Sequence, residues 1–114
     1  MDLSGTYDCK GVDASEGPYS AIVTLSRNAR QSDGPYGAYD FRMEVPGFGS
    51  YPGEAVSLGQ TLAIHFALTN PSQHDFGTGI GTLTIKGGKV SFHKFYYEPA
   101  FKGGNHGSED CVRR

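Results

Sequence analysis

Strict alternation of apolar and polar side chains is the feature that most limits how this chain can fold. Tyr39, Phe41, Met43 and Val45 alternate with Asp40, Arg42 and Glu44. Leu62, Ile64, Phe66 and Leu68 alternate in the same way with Ala63, His65 and Ala67. A period of two sends successive side chains to opposite faces of a strand, one dry and one wet. No window carries the period of a helix. Between the alternating runs lie turn formers, among them Asp33-Gly34-Pro35, Pro46-Gly47, Gly59-Gln60 and Gly87-Gly88. Gly87-Gly88 between two lysines has the form of a two-residue hairpin turn.

Read this way, strands are predicted over residues 3–9, 19–26, 36–45, 50–58, 61–68, 76–85, 90–98 and 108–113, with loops at 10–17 and 99–107. Pro52 and Gly53 mark the fourth strand as an edge or a bulge. Eight short strands joined mostly by hairpin-like turns predict an all-β, antiparallel, up-and-down barrel, because closure removes the exposed edges of a meander. A β-sandwich is the alternative. At 114 residues the chain is expected to form one domain over residues 1–114, with a modest core.

There are two cysteines, Cys9 and Cys111, near opposite ends of the chain. In a closed barrel the last strand lies beside the first, which predicts a Cys9–Cys111 disulfide that closes the barrel. Two free buried thiols are the alternative. In the chain-entropy model, a loop of about a hundred residues stabilises by roughly 4–5 kcal/mol. A disulfide points to an oxidising compartment, so a secreted or periplasmic protein with its leader removed is expected.

Composition narrows the function. The net charge is −2 with both signs scattered, which argues against nucleic acid and anionic membrane as partners. No apolar run approaches the ~20 residues of a spanning helix, and no membrane insertion is expected. Gly47-Phe48-Gly49-Ser50-Tyr51 is not the nucleophile elbow of an α/β-hydrolase. Gly77, Gly79 and Gly81 lack the spacing and the βαβ setting of a dinucleotide fingerprint, and read as close backbone approaches. No catalytic residue, cofactor or metal is expected, and the chain is expected to be a monomer.

The chemistry concentrates in residues 91–111, SFHKFYYEPAFKGGNHGSEDC. Alternation places Phe95 and Tyr97 on one face and Phe92 and Tyr96 on the other. One set fills the core, and the other is exposed or covered by the loop at 99–107. His93 and His106, with Glu98, Glu109 or Asp110 nearby, have the chemistry of a mixed histidine/carboxylate site; histidines that bond locally at the surface are the simpler alternative. Glu98, held by the following Pro99, suits an ion-pair network with Lys94, Lys102 and His106. His65 points away from its strand's apolar side, to solvent or to a lumen.

Gly5-Thr6-Tyr7 at the first strand, the eight strands and the closing disulfide together resemble a small calycin-type barrel. Lipocalins carry Gly-x-Trp at this place, and here Tyr7 holds the aromatic position. Small exported barrel inhibitors of bacteria share the architecture and a disulfide. The segment FHKFYYEPAFKGGNHGSEDC is similar to the end of uncharacterised exported bacterial proteins, over about a fifth of the chain. The resemblance implies a barrel and assigns no residue a role.

The expected function is a binding module for a small molecule or a protein, through a barrel mouth or an aromatic and histidine surface. The expected binding residues are His93, Tyr96, Tyr97, Glu98, Phe101 and His106, with the Gly103-Gly104 loop. An extracellular interaction protein, such as an inhibitor or host-protein binder, is the second reading. A calycin-type enzyme with a His/Glu site is the third.

Overall fold

A computed structural model describes residues 1–114. Eight strands form one closed antiparallel barrel in sequence order, each pairing with its chain neighbours. They are β1 (Gly5–Asp13), β2 (Gly17–Arg27), β3 (Tyr36–Val45), β4 (Gly49–Leu58), β5 (Thr61–Ala67), β6 (Phe76–Lys86), β7 (Lys89–Glu98) and β8 (Asn105–Arg113). β8 pairs with β1 and closes the sheet, so no edge is left exposed. The closed eight-stranded antiparallel barrel is consistent with the expected calycin-like architecture, and the sandwich alternative does not apply. Short 3-10 turns, Pro71–Gln73 and Phe101–Gly103, lie in the β5–β6 and β7–β8 connections.

Alternation does what the sequence predicts. Tyr39, Phe41 and Met43 of β3 and Leu62, Ile64 and Phe66 of β5 point inward and are buried, within a core of 20 residues. Cys9 and Cys111 face each other in the β1–β8 register and are joined by a disulfide. Pro52 does not mark an edge. It lies one residue beyond Gly53, the last β4 residue paired with β5, where its missing N–H is not needed. At Gly53 itself a Cβ would collide with the His65 backbone carbonyl, so the close approach of β4 and β5 requires glycine.

Two strands run further than alternation suggests. β1 continues through Lys10–Asp13, and β8 begins at Asn105 rather than Ser108. Both extensions carry Gly, Asp, Asn and His, which read as loop chemistry. The inward positions are Gly11 and Asp13 on β1 and Asn105 and Gly107 on β8. The glycines leave room for rings: a Cβ at Gly11 would fall on Tyr19, and one at Gly107 on Tyr96. The sequence looks like loop there because this end of the lumen is polar.

The two ends of the barrel therefore differ. At the end bearing the termini, Leu3 plugs the lumen, and a hollow of about 500 Å³ lies there among Leu3, Arg27, Tyr36, Tyr39 and Ser57. The Leu3 N–H donates to the Tyr39 hydroxyl at 3.1 Å, and its carbonyl accepts from the Tyr7 hydroxyl at 2.7 Å. Tyr7, Val23, Leu25, Leu62, Val90 and Phe92 fill the space above it. The opposite end carries the β1–β2, β3–β4, β5–β6 and β7–β8 connections, and it is only partly filled.

Candidate functional site

Inward-facing residues at the partly filled end surround a cavity of about 250 Å³, bounded at its rim by Phe48 of the β3–β4 turn and Phe101 of the β7–β8 connection. Three layers of polar groups line it, delivered by strand alternation except for Asp75, which comes from the connection before β6.

The deepest group is Lys94. On β7 the inward series is Val90, Phe92, Lys94, Tyr96 and Glu98, so alternation carries a lysine into the lumen. Its side chain is fully buried, as is that of Glu109 on β8, and Nζ lies 3.0 Å from Glu109 Oε1. The second Glu109 oxygen accepts from the Tyr19 hydroxyl at 2.5 Å. The ammonium is ringed by Phe41 at 5.2 Å and by Phe66 and Tyr96 at 5.8 Å, measured to the ring centroids, distances at which cation–π attraction acts. Nζ has no aligned hydrogen-bond acceptor, so Glu109 and the rings stabilise it by charge and quadrupole rather than by directed bonds. Burial, reinforced by the Glu109 carboxylate, pushes the Tyr19 hydroxyl far above its usual pKa, so it acts as a donor.

The next layer is Tyr96 and Asp13. The Tyr96 hydroxyl donates to Asp13 Oδ2 at 2.6 Å, and Asn105 Nδ2 donates to the same oxygen at 2.9 Å. Burial works to raise the Asp13 pKa. The bonds from Tyr96 and Asn105, with the Ser15 and Glu16 backbone N–H groups, outweigh it and hold the carboxyl below its usual value.

At the rim, Glu98 and Asp75 meet. Asn105 Nδ2 also donates to Glu98 Oε1 at 2.7 Å, and the Tyr51 hydroxyl donates to Asp75 Oδ2 at 2.5 Å. Asp75 Oδ1 is buried without a hydrogen-bond partner, and the Glu98 carboxyl lies beside Asp75. Burial, together with the bond to Asp75, raises the Glu98 pKa from the ordinary 4.5 to about 8. A proton on Glu98 then serves Asp75 as its missing donor. This proton favours the folded state. Its contribution is complete below pH 4.5 and is lost as the pH rises through about 8. The melting temperature is therefore expected to fall across that window, and Glu98→Gln, which keeps a neutral hydrogen-bonding group, should flatten the fall. A Gln variant with the wild-type slope in thermal melts would contradict this.

The expected binding residues divide across the barrel wall. Tyr96, Glu98 and Phe101 are buried and line the cavity. His93, Tyr97 and His106 are outside. His93 Nδ1 lies 2.7 Å from Asp110 Oδ1 on the surface, and His106 sits opposite Tyr97 in the β7–β8 register. His93, Glu98 and His106 therefore do not assemble into one site, because neighbouring residues of a strand face opposite ways. Neither does Glu98 join an ion-pair network: Lys94 pairs with Glu109, and Lys102 pairs with the exposed Glu16 at 2.6 Å. His65 is outside, 2.6 Å from Glu54. The aromatic faces separate as expected, with Phe92 and Tyr96 buried and Phe95 and Tyr97 exposed. The connection after β7 covers the mouth through Phe101.

Sequence reasoning missed Asp13, Tyr19, Tyr51, Asp75 and the inward Lys94–Glu109 pair. For the last two a signal was present: Lys94 shares the phase of Phe92 and Tyr96, and Glu109 shares that of Cys111. The three groups Cys9, Glu109 and Cys111 lie close enough to ligate one ion, but both sulfurs are committed to the disulfide and neither is a thiolate. No protein-family model matches the chain, and neither does any curated protein or solved structure.

Proposed function

We propose that the protein is a binding module for a small molecule, with the mouth cavity as its site, working in an oxidising compartment outside the cytoplasm. The observation that carries this reading is the buried Asp75 Oδ1, which has no donor but the Glu98 carboxyl, at the wall of a cavity where aromatic and aliphatic side chains meet a few charged groups. Ligand sites combine apolar walls with a few convergent polar groups. Its volume of about 250 Å³ is small beside the ≈ 300–1,000 Å³ of drug-sized sites, though larger than the ≈ 150 Å³ that admits benzene. One ring with a short tail is the scale it suits. A long lipid chain is not, because the lumen below is filled. The Cys9–Cys111 disulfide supports the compartment, since such bonds persist where thiols are oxidised. Kinship with lipocalins belongs to the same proposal, and rests on the eight-strand closure and Tyr7.

The test is a ¹H–¹⁵N NMR titration of the oxidised protein with a panel of single-ring compounds. Saturable shifts are expected at the mouth, around Glu16, Gly47, Asp75 and Gly103, and not at the plugged end around Leu3. A panel that moves no mouth resonance would sink the reading.

The second reading, an interaction protein, has its own observation. Ala63, Ile80 and Phe95 stand in register across β5, β6 and β7, and Phe95 and Val12 both flank Ser108. Ile80, Phe95 and Val12 are exposed, so an apolar row runs round the outer wall.

A further inference from the structure

The charge around the mouth cavity is unbalanced, and this points to the ligand's chemistry. Asp13, Glu16, Asp75 and Glu98 line it against one cation, Lys94. Lys94 is already matched by Glu109 and three aromatic rings, and Glu16 by Lys102. Asp13 has its donors in Tyr96 and Asn105. What remains is the Asp75–Glu98 pair, where Asp75 Oδ1 has no donor but the Glu98 carboxyl. Beside the pair stand the Tyr51 and Phe66 rings, 5.8 Å apart and edge to face, and the Phe48 ring stacked beyond Tyr51.

Carboxylates beside aromatic faces recognise a cation. An anionic ligand would add charge of the same sign as the carboxylates that line the pocket. A bare metal ion is disfavoured by geometry, because the carboxylate oxygens of Asp13, Asp75 and Glu98 do not converge to ligand spacing. We infer that the pocket takes a small organic cation, a primary ammonium group on a single-ring or short aliphatic body, with the ammonium between Asp75 and Glu98 and the body against Tyr51, Phe66 and Phe48. This assignment rests on the mouth being a ligand site.

The ammonium supplies the donor that the Glu98 proton otherwise supplies to Asp75. Binding therefore releases that proton to the buffer, and each ammonium bound displaces about one proton while Glu98 is protonated. The titratable groups that face the pair are Asp13 from β1, Tyr51 from β4 and Tyr96 from β7. Lys94, Tyr19 and Glu109 lie deeper, on β7, β2 and β8. Tyr51 and Tyr96 are held above their usual range by burial and by their carboxylate acceptors, and Asp13 below its own. Glu98 is thus the group that titrates near neutrality.

The experiment is isothermal titration calorimetry of the oxidised protein with 2-phenylethylamine, 2-phenylethanol and 3-phenylpropionate, which share a ring and differ in charge. The amine is expected to bind at least about tenfold more tightly than the other two, as one charge-assisted contact implies. In buffers of different ionisation enthalpy it should release about one proton at pH 7. Its affinity should rise about tenfold between pH 6 and pH 7 and level off above pH 8. Glu98→Gln, isosteric with the protonated acid, should abolish proton release and its pH dependence. Alcohol or carboxylate binding as tightly as the amine, or amine binding without proton release, overturns the cation assignment and leaves the pocket standing. Failure of all three to bind overturns the pocket itself.

Discussion

Lys94→Met is expected to destabilise the fold by about 3–5 kcal/mol in urea denaturation, the cost of leaving a buried charge without its partner. Glu109 would keep the Tyr19 hydroxyl as a donor but would lose the cation at 3.0 Å in a fully buried setting. Three rings would lose the charge that they surround. The double variant Lys94→Met/Glu109→Gln should recover most of that loss, because Gln keeps an acceptor for Tyr19 and removes the stranded charge. Buried pairs often cost as much in desolvation as they return in attraction, so the pair's net worth is small even though breaking it is expensive. The two variants together separate these quantities. A single variant within about 1 kcal/mol of wild type would show that Glu109 reaches water or another cation.

Removing the disulfide is expected to cost about 2–5 kcal/mol, and to lower the melting temperature by about 10–20 °C for a domain of this size. The bond joins residues 102 apart, a separation at which loop-closure entropy is large. It also sits on the β1–β8 seam, the one strand pairing not made by chain neighbours. In Cys9→Ala/Cys111→Ala, amide exchange should therefore accelerate first in β1 and β8, and least in the β3–β4 hairpin. Uniform acceleration across all strands would mean that the bond acts on the unfolded chain alone, and not on the seam.

Both variants probe parts of the molecule that local pattern reveals unequally. The strand count, the barrel and the Cys9–Cys111 pairing were legible because each follows from period-two alternation and turn residues. The site was legible only in fragments. Tyr96, Glu98 and Phe101 lie within one segment and were found together. Their partners Asp13, Tyr51 and Asp75 come from β1, β4 and the connection before β6, and no spacing in the chain relates them. His93 and His106 were drawn in by proximity in sequence, yet they lie on the outer wall. The strand ends that read as loops, Lys10–Asp13 and Asn105–Gly107, belong to the polar mouth. There the local rules for strands give way to what the cavity requires.

Which face a side chain takes is a matter between neighbours in the chain, set by backbone geometry two residues at a time. For that reason alternation alone puts Lys94 on the face of Phe92 and Tyr96 and opposite Phe95, while which face turns inward is decided by the closed barrel. What stands opposite an inward side chain depends on barrel closure and register, which bring together residues 90 positions apart, such as Tyr19 and Glu109. The burial of Lys94, the elevated Glu98 pKa and the reliance of the buried Asp75 oxygen on Glu98 are consequences of that assembly. Desolvation and coupling between charges exist only once the lumen has formed, and no single strand contains them.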